Sequence, residues 1–176
     1  MPLTKRDQFR RVTLLCCHFV RNLAYDQAGR TPSLKTASQF WITVHNNFLD
    51  HCVLEWCKLF IDTKGRPPGE HRWDNVVADK ARFEGELFQL IDKTKFETLL
   101  NAMRKARDKF IAHLDDLPTE DTPHMNIAKN AVHFYHRYIL RNEAQPEDLT
   151  GLPTDLIDYY SACYDEAKAV YARRAI

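Results

Sequence analysis

No stretch of this sequence reaches the ~20 uninterrupted apolar residues that a bilayer-spanning helix needs. The most apolar segment, Phe40 to Ile61, carries His45, Asn46, Asn47, Asp50, His51, Glu55 and Lys58, so no membrane span is expected. The N-terminus reads as a poor signal peptide, because Met1-Pro2-Leu3-Thr4-Lys5-Arg6-Asp7 is polar and Thr13 and His18 interrupt the apolar run that follows. A surplus of one charge is missing too. The 25 Lys and Arg stand against 24 Asp and Glu, a formal net charge of +1, which gives the whole molecule little attraction for phosphate and argues against a non-specific nucleic-acid coat. No Cys-x-x-Cys pair occurs among Cys16, Cys17, Cys52, Cys57 and Cys163. An odd set of cysteines within apolar helical patterns suits a reducing cytoplasm, the expected location, and not a disulfide framework or a zinc finger. Strand-like alternation, internal repeats and low-complexity tracts are all absent.

What is present is helical. At 176 residues and 44 % hydrophobic composition the chain can fill one core, so residues 1–176 are expected to form a single domain. Glycine and proline fall in clusters (Gly29/Pro32, Gly65/Pro67/Pro68/Gly69, Pro118/Pro123, Pro146/Gly151/Pro153), and between them apolar residues recur at helical steps. A first helix is predicted from Lys5 to Ala28, with Phe9, Val12, Cys16, Phe19, Val20 and Leu23 inward and Gly29 as a left-handed cap. A second opens after Thr36 or Ser38 and closes before Thr63. A third runs from Asp74 or Asp79 to Leu90, with Phe83, Leu87 and Leu90 inward.

The fourth helix is predicted to start at a capping box, Thr94-Lys95-Phe96-Glu97, and to run to Leu114. A fifth covers Ile127 to Asn142. The sixth covers Asp155 to Arg174 through Leu156, Tyr160, Cys163, Ala167 and Val170. The expected fold is all-α, an antiparallel bundle of about five to six helices. Its longest loops, Asp62 to Arg72 and Asp115 to Met125, are free to line a site.

The fourth helix carries the chemistry. At about 100° per residue Arg107 lies ~40° from Met103 and ~60° from Phe110, within the apolar stripe. A guanidinium there needs an acid such as Glu55 or Glu86, or else a polar cleft and an anionic ligand. His113 follows ~120° round the helix and ~9 Å along it, at the edge of the stripe. The charge balance of the whole chain conceals a basic segment, Arg104 to Lys109, beside the acidic pair Asp115-Asp116.

Arg107-Asp108, four residues, then His113 resembles the R-polar-x-H signature of the HEPN superfamily. The longer run Arg107 to Asp115, with Met125-Asn126-Ile127 and Val132-His133-Phe134-Tyr135, resembles the abortive-infection (AbiU-type) branch of that superfamily. Trp56 to Phe60 and Arg72-Trp73 fit it more loosely. The resemblance implies a HEPN-like helical domain that forms a homodimer with two motifs facing one cleft, and a metal-independent endoribonuclease without a cofactor, in phage defence or toxin–antitoxin control. His113 would be general acid or base, Arg107 would stabilise charge on the phosphate, Asp108 would orient one of them, and Arg104 and Lys109 would bind the RNA substrate. An antitoxin protein is a further implied partner. The alternative is a catalytically silent HEPN module that binds a nucleotide or a protein. Where some toxin members carry a modifiable tyrosine two residues after the histidine, this chain has Asp115.

Other signals are weaker. His133-x-x-His136 is one helical turn apart and suits a metal only with a carboxylate or cysteine on the same face. Gly65-Arg66-Pro67-Pro68-Gly69 lacks the Gly-Lys-Ser/Thr of a phosphate loop. Arg137 and Arg141 lie four apart and read as a solvated face, and Phe134-Tyr135 and Tyr159-Tyr160 read as core or dimer seam.

Overall fold

The computed structural model describes residues 3–30, 39–62, 69–111 and 123–173, and of 109–111 the backbone alone. Among the described residues it is all-helical, with seven α-helices and no strand: α1 (Lys5–Gly29), α2 (Gln39–Phe60), α3 (Trp73–Val76), α4 (Lys80–Leu90), α5 (Lys93–Lys105), α6 (Met125–Tyr138) and α7 (Leu156–Ala172). A π-helical turn, Ala106–Ile111, continues α5, another, Ile139–Glu143, continues α6, and a 3-10 turn spans Pro146–Leu149. The helical bundle expected from the periodicity is therefore the fold. No described helix is long and apolar enough to cross a membrane.

Helix α1 is the central post and packs most extensively on α2 and α7. Its six predicted inward residues are all buried. Thr4 starts it, the hydroxyl accepting from the Asp7 amide at 3.1 Å. Gly29 does not supply a left-handed cap: it remains in the helix, and Arg30 ends α1 with a right-handed φ of -80°. The reason for glycine there is packing, since a Cβ at Gly29 would fall 1.6 Å from the His45 ring on α2.

The helix count exceeds five to six because the third predicted helix is two. Val77 turns extended (φ -76°, ψ 133°), and the break is satisfied from other elements. The Ala78 amide donates to Glu143 at 2.9 Å and the Tyr138 hydroxyl to the Asp79 carbonyl at 3.3 Å. Asp79 then caps α4 by accepting from the Arg82 amide. The predicted capping box at Thr94 is likewise displaced by two residues. Asp92 caps α5, accepting from the Lys95 amide at 2.9 Å, and a carboxylate at a helix N-terminus interacts with the macrodipole more strongly than a hydroxyl does. Leu90 and Val170, predicted inward, are 52 % and 44 % exposed. Each stripe closes one residue later, on buried Ile91 and Tyr171.

The core around α4 and α6 is aromatic. Phe83 is fully buried, stacks on Trp73 (centroids 4.8 Å apart, planes 7° apart) and meets Phe134, Tyr135 and Tyr138 edge-on at 5.0, 5.4 and 4.9 Å. On the α2 side Trp56, Phe60 and Phe96 pack within 4.7 to 5.9 Å of one another. All five cysteines are free and buried. Burial pushes the Cys17 thiol up to about 11 and Cys57 up to about 12, so these are packing groups and poor nucleophiles.

Candidate functional site

Four segments meet at one end of the bundle. Helix α2 ends in Phe60, Ile61 and Asp62, where the Ile61 and Asp62 amides both donate to the Cys57 carbonyl at 2.8 and 2.9 Å. That pair of hydrogen bonds closes the helix and leaves Asp62 at its end. The Cys57 thiol in turn donates to the Met103 carbonyl of α5 at 3.7 Å, which ties the two helices together. At Ala106, itself buried, the amide bonds to both Ala102 and Met103, and the α-helix gives way to the π-helical turn. The widened turn ends the 100° spacing from which Arg107 was placed in the stripe; turns of this kind are frequent at functional sites.

Residues Phe60, Ile61, Asp62, Arg72, Trp73, Leu100, Arg104, Arg107 and Asp108 line a cleft of about 780 Å³ there. Three arginines and two aspartates line it beside apolar Phe60, Ile61 and Leu100, and a third aspartate, Asp74, pairs with Arg72. Arg107 is three-quarters buried, its side chain 25 % exposed, and bonds to two acids. Its Nε donates to Asp108 Oδ1 at 2.7 Å, and Nη1 donates to Asp62. The hydrogen bond to Asp108 is the main cause that holds its proton more tightly than usual. Neither acid is deeply buried, with side chains 31 % exposed for Asp62 and 53 % for Asp108. Pairs of this exposure add roughly 0 to 1 kcal/mol each to stability.

The acids anticipated for Arg107 are engaged elsewhere, Glu55 with Lys58 at 3.2 Å and Glu86 with Arg82 at 2.7 Å. Arg72 is held by both oxygens of Asp74, the Nε bond measuring 2.5 Å. Arg104 is exposed and donates to Asn101 at 3.3 Å. Of the predicted site residues, the structure thus brings Arg104, Arg107 and Asp108 together in one cleft. Lys109 has its backbone on the π-helical turn, and His113 lies outside the described residues.

Asp62, Arg72 and Trp73 were not singled out as site residues. The signal that could have found them is positional, since Asp62 and Arg72 bound the long polar loop already expected to line a site. The loop's far end is anchored by Gly69, which has φ +59°, and a Cβ there would meet the Asp62 carbonyl at 2.5 Å. Its own carbonyl accepts from the Arg72 amide at 2.9 Å. Only a glycine lets the chain pass so close to the end of α2.

The histidine pair of α6 has another fate. His136 is 1 % exposed, with Nε2 at 3.1 Å from the Pro153 carbonyl, and burial pulls both His133 and His136 down to about 4. They are neutral near pH 7. Among the described residues no three His, Cys, Asp or Glu side chains are grouped to hold a metal ion. Phe134 and Tyr135 are core residues, and the Tyr135 hydroxyl donates to the His71 carbonyl at 3.2 Å, which fixes the segment leading into Arg72.

Compared with family models, with curated proteins and with solved structures, the chain has no match in any of the three.

Proposed function

We propose that this protein is a metal-independent endoribonuclease of the HEPN type, acting as a cytoplasmic homodimer in phage defence or toxin–antitoxin control, with an antitoxin protein as a further partner. The observation that carries the reading is Arg107. It stands on a π-helical turn at the wall of an arginine-rich cleft, with a guanidinium oriented by two acids on the rim. Ion pairs of this exposure add little to stability and full burial would cost desolvation, so a stabilising role does not by itself account for an arginine at this position.

In this mechanism the 2′-hydroxyl oxygen of RNA attacks the adjacent phosphorus and the bond from phosphorus to the 5′-oxygen breaks. The products are a 2′,3′-cyclic phosphate and a 5′-hydroxyl. His113 of one chain takes the proton from the 2′-oxygen and His113 of the second copy delivers one to the departing 5′-oxygen, tasks that suit an imidazole. Arg107 meets the charge that builds on the phosphate oxygens. Asp108 holds the Nε edge and so sets the plane of the fork, while Asp62 occupies the position that a phosphate oxygen takes over. Arg104 and Lys109 add positive charge along the strand. A second copy of the chain supplies a second motif to the same phosphate.

The alternative, a silent module that binds a nucleotide or a protein, is favoured by one observation: Arg107 already meets two carboxylates. Incubation of mixed RNA with the purified protein in EDTA, beside Arg107→Ala and His113→Ala, separates the two. The nuclease reading expects cleavage by the wild type that disappears in both variants. Equal background in all three sinks it and leaves the silent module.

A further inference from the structure

The cleft that holds Arg107 is walled by an indole as well as by guanidinium groups. Trp73 opens α3, lines the cleft and is partly exposed. Phe83 covers one face of its ring in a nearly parallel stack, so the surface that Trp73 gives to the cleft is the remainder of the indole. Phe83 cannot yield, because it is fully buried and held edge-on by Phe134, Tyr135 and Tyr138. The backbone beneath Trp73 is fixed as well. Arg72 is clamped by Asp74, the Val77 amide closes the turn on the Trp73 carbonyl at 2.8 Å, and Asn75 donates to the Gly69 carbonyl at 2.9 Å. An aromatic ring backed by a rigid core and bordered by cations is prepared for a flat group that carries negative charge beside it. An unpaired nucleotide has that form, since every base offers a π-face and stacking on an aromatic side chain tolerates any sequence. A base inside a duplex is already stacked on both sides.

We propose that Trp73 is the stacking platform for an unpaired base of single-stranded RNA whose phosphate is met by Arg104 and Arg107 of the same cleft. The substrate class is therefore single-stranded RNA or a loop, with little preference for the base. This rests on the nuclease reading, and it specifies which RNA that site accepts.

The test is equilibrium binding of a fluorescein-labelled, fully 2′-fluoro RNA octamer, which has no 2′-hydroxyl and is not cleaved by the proposed route. Wild type and Trp73→Phe are expected to bind it with similar affinity, and Trp73→Leu roughly 5- to 150-fold more weakly. Replacing each base in turn by an abasic residue is expected to weaken wild-type binding by a similar factor at one position, and at that position Trp73→Leu shows no further loss. This ligand-side change keeps the result readable even if Trp73→Leu disturbs the fold. The same octamer annealed to its complement is expected to bind as weakly as to Trp73→Leu. Equal affinity of wild type and Trp73→Leu, or no abasic position that matters, overturns the proposal. Displacement of the octamer by AMP with the same dependence on Trp73 also overturns it, by assigning the platform to a free nucleotide. Binding that depends on Trp73 in a protein that cleaves no RNA leaves the platform and removes the nuclease. Cleavage with binding indifferent to Trp73 does the reverse.

Discussion

Arg107 keeps its charge at the rim of a cleft, a quarter exposed and bonded to Asp62 and Asp108, whereas His136 and His133 on α6 are neutralised by burial. The two regions are served by the same aromatic core, since Tyr135 and Phe134 lie between the histidines in sequence and pack on Phe83 behind the cleft. What differs is the access of water. The cleft lets a guanidinium remain an ion within reach of an incoming anion. On α6 the buried His136 makes one carbonyl contact, at Pro153, and the part-exposed His133 is likewise held neutral. Depth therefore decides whether a titratable residue in a helical pattern keeps its charge, and the motif alone does not give the depth.

The comparison breaks hardest if charge is forced into the buried region. His136→Arg places an ion at a position 1 % exposed and is expected to cost about 3 kcal/mol or more, enough to unfold much of the protein in a urea titration. A stable His136→Arg would mean that this pocket is as open as the cleft.

Next in size is acid sensitivity. Both histidines titrate near 4 in the folded chain and near ~6.5 when unfolded. Between these values the unfolded state binds more protons, so the stability they give is complete above about pH 6.5 and is lost as pH falls toward 4. For His136, which is 1 % exposed, the loss is on the order of 2 to 3 kcal/mol, and for the part-exposed His133 it is smaller. Urea titrations at pH 7.5, 6 and 5 check it, and a His133→Gln/His136→Gln double variant is expected to flatten that dependence.

Smaller effects sharpen the cleft side. Arg107→Lys keeps the charge and loses the planar fork, so it should retain the fold and lower RNA cleavage by roughly 10- to 100-fold. Asp62→Asn removes the acid that competes with phosphate for Arg107. It should tighten binding of an uncleavable single-stranded RNA about fivefold, with melting changed by no more than about 1 kcal/mol. Weaker binding in Asp62→Asn would make that acid part of the binding surface instead of a competitor.

Much of the fold was legible in the periodicity, because burial of a helical stripe is a local property: all six inward positions named on α1 are buried. Boundaries were less so. The break at Val77 depends on Glu143 and Tyr138, more than fifty residues away in sequence, and the cap of α5 was decided by competition between Asp92 and Thr94. Of the site, the anomaly of an arginine in an apolar stripe was visible, and so was the need for a partner. The identity of the partner was not, because Asp62 reaches Arg107 through the end of α2, and the π-helical turn that presents Arg107 has no signature in residue spacing. Trp73 was visible as a tryptophan beside an arginine, but its stack on Phe83 was not.

The central claim is that Arg107 serves a phosphate and not the fold, and a single variant read in two ways tests it most directly. For Arg107→Ala the account predicts RNA cleavage in EDTA lower by about 10²- to 10³-fold and unfolding free energy within about 1 kcal/mol of the wild type. Cleavage that persists in Arg107→Ala, or a loss that tracks the fraction unfolded, would contradict it.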